Sequence, residues 1–222
     1  MHDSLTVLNT PEASAQGLFE ERRSRFIANA CHVGGLGDAA DFVDRMRSLH
    51  PKARHVAFAA LCFDAHGVPA ERMSDDGEPA GTAGKPILEL LRNRCVGDCV
   101  ISVTRYFGGI LLGAGGLTRA YANAASAALD CADYGKTVPF ERFRIDISYP
   151  QLDACRHAIA LSAGKVVEAQ YTQAVVLVAD VPAVNASTFR RRIIDQLKGD
   201  VRISEMGIQR SVVAVAKDFQ RG

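Results

Sequence analysis

No segment of this 222-residue chain approaches the ~18 consecutive apolar residues that a membrane-crossing helix needs. Its first residues, MHDSLTVLNTPEASAQG, carry neither a basic start nor an apolar export core. The expectation is a cytoplasmic protein with no membrane partner. Charge of one sign is lacking as well: 26 Lys and Arg stand against 25 Asp and Glu, for a net charge of +1. The basic excess of a dedicated nucleic-acid binder is therefore absent. Residues 141–222 hold 12 basic and 9 acidic residues and the rest carries −2, a weak asymmetry. Cysteine is sparse: of Cys31, Cys62, Cys95, Cys99, Cys131 and Cys155 only the Cys95/Cys99 pair is close, and no further ligands at zinc spacing accompany it. Reduced, mostly apolar-packed thiols are expected.

Catalytic motifs are missing too. Gly84-Lys85 has the ending of a Walker A loop, but Pro79 stands where the first glycine belongs and Pro86 replaces the hydroxyl that would hold magnesium. Ser74 lacks a GxSxG elbow, and Cys31-His32 would point to opposite faces of a strand. His2, His32, His50, His66 and His157 form no metal-ligand spacing. Arg190-Arg191-Arg192 looks basic, yet on a helix three consecutive residues spread over about 200° and read as a solvated face.

What the chain does have is two glycine-rich runs. The first, Arg72 to Pro86 (RMSDDGEPAGTAGKP), combines three carboxylates with Gly77, Gly81 and Gly84 and reads as a loop. The second, Arg105 to Gly116 (RYFGGILLGAGG), follows an apolar strand and precedes a helix. Both are expected to end at helix N-termini, where free N–H groups favour anions. Thr82 and Lys85 are candidates for an anion cradle. Arg105 and Tyr106 beside Gly108 and Gly109, with Arg119 in the following helix, are candidates for contact with a phosphate backbone or an unstacked base. His55 opens a strand near the acidic loop and joins the ligand-binding set. Asp75, Asp76 and Glu78 are candidate Mg²⁺ ligands, with turn bonding or a salt bridge from Asp75 or Asp76 to Arg105 as the structural alternative.

Around these runs the periodicity predicts an exposed or edge strand within Leu18 to His32 and a helix over Asp38 to Leu49. A buried strand from His55 to Phe63, a short helix from Lys85 to Leu91, a strand from Cys99 to Arg105 and an alanine-rich helix from Leu117 to Cys131 follow. Ala132 to Phe140, with Gly135 and Pro139, reads as an interdomain linker. Strand, helix, strand, strand, helix and strand then succeed one another to Glu205, the order of a split βαβ ferredoxin-like unit.

SRFIA at Ser24 to Ala28, SDDGEPAGTAGKPIL at Ser74 to Leu88 and TRYFGGILLGAGGLTRAY at Thr104 to Tyr121 resemble signature blocks of the Impact family in its bacterial YigZ-like two-domain form. The resemblance implies an α+β protein. Its N-terminal α/β sandwich would be similar to the second domain of a small-subunit ribosomal protein, and its C-terminal ferredoxin-like βαββαβ domain similar to the last domain of elongation factor G. The expected division is a flexible tail over 1–16, an Impact-type domain over 17–135 and the ferredoxin-like domain over 136–222.

The same resemblance implies a role in translation or stress regulation, since eukaryotic Impact relatives restrain an initiation-factor kinase by competing for its ribosome-associated activator. The expectation is a non-catalytic protein that binds ribosome, RNA or a translation-associated protein through its glycine loops, without a cofactor. A Mg²⁺-dependent enzyme acting on a phosphorylated small molecule or nucleic acid, and a protein-only assembly module, are the alternatives.

Overall fold

The structure is a computed structural model that describes residues 4–64 and 67–214, so His2 and His66 lie outside the described residues. The chain divides into two units, Met1–Thr137 with Val212–Gly222, and Val138–Ser211. The first unit runs β1 (Ser4–Val7), β2 (Ala15–Glu21), β3 (Ser24–His32), α1 (Leu36–Leu49), β4 (His55–Phe63), β5 (Pro69–Ser74), α2 (Gly84–Asn93), β6 (Cys99–Tyr106) and α3 (Gly113–Asp130), then enters β7 (Tyr134–Ile147). Its central sheet has the order β2-β3-β6-β4-β5, with every neighbouring pair antiparallel.

Alternation along β4 and β6 explains why both strands read as continuous apolar runs. Val56, Phe58, Ala60 and Val100 face Phe42, Val43 and Met46 of α1. Ala57, Ala59, Ile101 and Val103 face the opposite way, into a core with Ile87 and Leu91 of α2 and Leu117, Tyr121 and Ala124 of α3. A strand buried on both faces has no polar side to show. The alanines of α3 let it lie close against the sheet, and Gly17 in β2 takes this furthest: a Cβ there would stand 2.2 Å from the backbone nitrogen of Ala128.

Several expectations are corrected. Residues 1–16 are not simply a tail, because β1 pairs with Tyr134 to Thr137 and β2 already begins at Ala15. Leu5-Thr6-Val7 is short but buried in part on both faces: Val7 is inaccessible, and the Thr6 hydroxyl donates to the Asp98 carbonyl at 3.1 Å. The Leu18 to His32 stretch is a hairpin rather than one strand. Its turn residues Arg22 and Arg23 adopt φ of 45° and 66°, the twist that two-residue hairpins require, without the Asn-Gly that usually signals it. β5 is an exposed edge strand, and its polar sequence hid it.

The supposed linker is mostly strand β7. Gly135 is a point of close packing, since a Cβ there would meet Leu8 and Val212 side chains at 2.7 and 2.8 Å. Pro139 falls between the stretch of β7 that pairs with β1 and the stretch that pairs with β9 (Val175–Pro182).

The second unit continues from β7 through α4 (Leu152–Leu161), β8 (Lys165–Tyr171), β9, α5 (Ala186–Gln196) and β10 (Arg202–Ala214). Strand order is β10-β7-β9-β8, with β7/β9 and β8/β9 antiparallel, which is the ferredoxin-like arrangement expected from the element order. Phe143, Ile145, Leu177 and Val181 pack under Cys155 and Ile159 of α4 and Phe189 and Ile193 of α5. β10 runs past the expected Glu205, and residues from Val212 belong to the first unit.

The Gly17 contact yields a direct test. Gly17→Ala drives a methyl into helix backbone that cannot rotate away, so it should lower unfolding stability by about 1–3 kcal/mol. An unchanged urea midpoint would contradict the close β2–α3 approach.

Candidate functional site

β3 begins, β6 ends, β4 begins and β5 ends at the same edge of the central sheet, with Arg25 opposite Tyr106 and Arg105 opposite His55. Both glycine runs therefore leave the sheet from one end.

The acidic run is built around its own carboxylates. Asp75 accepts the backbone N–H groups of Gly81, Ala83 and Gly84 at 2.8, 2.9 and 2.8 Å, so it fills the anion-attracting start of α2 from within. Burial acts to raise the Asp75 pKa, but the three N–H donors outweigh it and the carboxyl is held below its ordinary range. Asp76 accepts the Val56 N–H at 2.7 Å and pairs with Arg47 of α1 at 3.0 Å, while its carbonyl takes a hydrogen bond from His55 Nδ1 at 2.8 Å. His55 thus serves the loop's backbone and lies against Gly77. Thr82 is buried and its hydroxyl donates to the Pro79 carbonyl at 2.7 Å. Lys85 is exposed and 3.9 Å from Glu89.

Glu78 goes elsewhere. Its Oε1 accepts Arg105 Nη1 at 2.7 Å and the Tyr121 hydroxyl at 2.8 Å, and the Arg105 and Glu78 side chains are only 7% and 3% exposed. Arg105 is therefore neither a surface contact nor a partner of Asp75 or Asp76. Its guanidinium carbon lies 5.4 Å from the ring centres of both Phe26 and Phe107, and its buried Nε has no hydrogen-bond partner among the described residues. Burial, then the neighbouring Glu78 charge, pushes the Tyr121 hydroxyl far up, so it stays a donor. Asp75, Asp76 and Glu78 consequently do not converge. Among the described residues no group of three or more His, Cys, Asp or Glu is placed to hold a metal ion.

The second glycine run is the exposed one. Phe107, Ile110 and Leu111 are 49%, 41% and 79% exposed. Gly108 packs where only glycine fits, its Cβ position 2.1 Å from the Arg23 carbonyl carbon, and its N–H donates to Ser24 Oγ at 3.1 Å. Gly109 has φ of 85°. Arg22 donates to the Leu111 carbonyl at 3.3 Å, which ties the hairpin turn to this loop. Tyr106 turns to the other side of the sheet and bonds His50 Nδ1 at 2.9 Å. Arg119 is exposed in the helix that the loop opens.

The structure leaves Gly109 and Arg119 exposed and Gly108 partly so, and it withdraws Thr82, Arg105 and His55 into the framework. Sequence reasoning did not single out Arg22 and Arg23. The EERRSR stretch held their signal, but it read as the charged middle of a strand.

Cys31, Cys62 and Cys155 are buried thiols. Burial pushes Cys31 up to about 12 and Cys62 and Cys155 to about 11, so these stay protonated at neutral pH. Arg190 pairs with Glu205 at 2.5 Å and Arg192 donates to Ser162 Oγ at 2.7 Å, so that triplet is largely engaged within its own unit.

Comparison with known proteins follows the same outline. The Impact N-terminal domain model matches residues 22–129, and a domain of unknown function, DUF1949, matches residues 145–200. Impact family member YigZ of Escherichia coli strain K12 is 34% identical over 193 residues, covering 87% of this chain and 95% of its own. This chain belongs to the Impact family. A further Impact family member, from Haemophilus influenzae, is 44% identical over 141 residues, 61% of this chain and 66% of its own. A solved structure described as a hypothetical protein is 30% identical, with a TM-score of 0.66 over 98% of this chain and 99% of its own. The Arg22–Arg23 turn, both glycine runs and the Arg105–Glu78 pair all fall inside the Impact N-terminal match.

Two substitutions test the framework. Glu78→Gln leaves the Arg105 charge buried without its counter-ion and should cost about 3–5 kcal/mol in chemical denaturation. A loss below that of an exposed pair would mean that the site is wet. Asp75→Asn should cost about 1–2 kcal/mol at neutral pH, because an amide offers one acceptor where three N–H groups converge. The folded Asp75 pKa is depressed, so its contribution is full above the unfolded value and is lost as pH falls through the folded one. Wild type and Asp75→Asn should therefore converge in stability on acidification. A gap constant across the acid range would contradict this.

Proposed function

We propose that this protein is a non-catalytic binding protein of the translation system. It meets RNA, free or in the ribosome, at the rim formed by the Arg22–Arg23 turn, the 107–112 loop and the start of α3. The observation that carries the reading is the pairing of free cations with exposed apolar groups on that rim. Among the described residues neither Arg23 nor Arg119 has a carboxylate partner, and Phe107, Ile110 and Leu111 stand exposed between them in sequence. Guanidinium groups neutralise phosphates, and apolar rings and chains cover bases and sugars.

Membership of the Impact family supports the translational setting, because its members are related to translational regulators. The net charge of +1 sets the strength: binding rests on a few placed arginines and should be moderate and sensitive to salt. The buried location of Arg105 removes it from the contacting set. Its part is to support the loop.

Cosedimentation with ribosomes and binding to RNA oligomers, each across a salt series, test the reading. Affinity should fall as salt rises, and Arg22→Ala, Arg23→Ala and Arg119→Ala should each reduce the log–log slope by about one. Association that ignores salt, or slopes unchanged in all three variants, would point to a purely protein partner.

A further inference from the structure

Resting on the RNA reading, we infer that Phe107 is a stacking platform for a single unpaired nucleobase, so that the ligand class is single-stranded rather than duplex RNA. Phe107 is 49% exposed, with a guanidinium lying over its ring at 5.4 Å from the centre. That guanidinium is fixed rather than floating: Glu78 holds it at 2.7 Å, the Phe26 ring lies at 5.4 Å, and the residue itself belongs to the central strand β6. The backbone on the other side of Phe107 is fixed too, through Gly108 packed on Arg23 and bonded to Ser24 Oγ. A ring immobilised in this way meets an incoming base with little loss of side-chain entropy.

The surroundings match the rest of a nucleotide. Arg22 and Arg23 occupy the turn on which Gly108 packs, and Ile110 and Leu111 extend the apolar surface along the same loop. A base stacked on Phe107 therefore has cationic groups nearby for its flanking phosphates. Duplex RNA keeps its π-faces in the helix stack and offers a flat ring nothing but its ends, whereas an unstacked base offers a full face. The buried Arg105 is a positioning residue in this arrangement, and the contact itself belongs to Phe107.

The test uses the full chain and a short single-stranded RNA carrying 2-aminopurine, its blunt duplex, and the same strand with abasic positions. Wild type should bind the single strand with quenched 2-aminopurine fluorescence and bind the duplex and the abasic strand more weakly. Phe107→Ala should weaken single-strand binding roughly 5- to 100-fold, with the salt slope unchanged, and Phe107→Tyr should restore it. Melting curves of both variants check that the fold persists. If the single strand binds with the expected salt slope but Phe107→Ala and the abasic strand behave as wild type, stacking is overturned and the RNA reading stands. If no RNA binds at any salt, the RNA reading falls and stacking with it. Equal affinity for duplex and single strand would also overturn the inference.

Discussion

One carboxylate oxygen links three elements of the first unit: Glu78 in the acidic loop accepts Arg105 from the end of β6 and the Tyr121 hydroxyl from α3, all of it buried. Such a pair stabilises little by itself, because desolvating both charges offsets most of their attraction. Its effect is on specificity. With either partner misplaced, a charge is stranded in a low-dielectric interior, so the acidic loop has one acceptable position against the sheet and α3 has one acceptable rotation. Everything exposed above it, from Phe107 to Gly113, inherits that registration.

The acidic loop illustrates how a sequence that looks built for ligands can be consumed by its own folding. Three glycines, three carboxylates and a lysine before a helix suggest an anion or metal cradle. In the fold, Asp75 supplies the anion at the start of α2, Asp76 accepts the N–H of Val56, the second residue of β4, and pairs with Arg47, and Glu78 faces inward. Each carboxylate answers a separate set of donors. The loop has no regular ladder to satisfy its neighbours, so side chains do the work that strands and helices do for themselves.

Much of the fold was legible because it depends on local pattern. β4 and β6 read as buried strands since apolar residues occupy both faces, and the ferredoxin-like unit followed from six elements in order. β1, β5 and the Arg22–Arg23 turn were not legible. β1 is four residues long and is recruited by pairing with residues 134–137, more than a hundred positions away. β5 is an edge strand whose polar side chains are all that sequence displays. The turn uses two arginines at positive φ, where the usual signal is glycine or asparagine. The site was half legible: that the loops at 72–86 and 105–116 matter was visible, but which of their residues face outward depends on sheet pleat and loop closure. Arg105 and Tyr106 are adjacent in sequence and face opposite sides of the sheet, one toward Glu78 and the other toward His50.

The cations of this chain differ in how far carboxylates already match them. On the face of the ferredoxin-like sheet opposite its helices, Arg142 forks onto Asp180 at 2.6 and 2.8 Å, Arg144 pairs with Asp146 at 2.9 Å, and Lys165 lies 5.7 Å from the centre of the Phe140 ring. Arg142 and Arg144 are already matched, so a polyanion arriving at either must displace a carboxylate before it gains a contact. Arg23 and Arg119 of the first unit make no such demand, since both are exposed and, among the described residues, have no carboxylate to displace. A chain of nearly zero net charge can therefore still carry exposed guanidinium groups without carboxylate partners among the described residues, at Arg23 and Arg119 of its first unit.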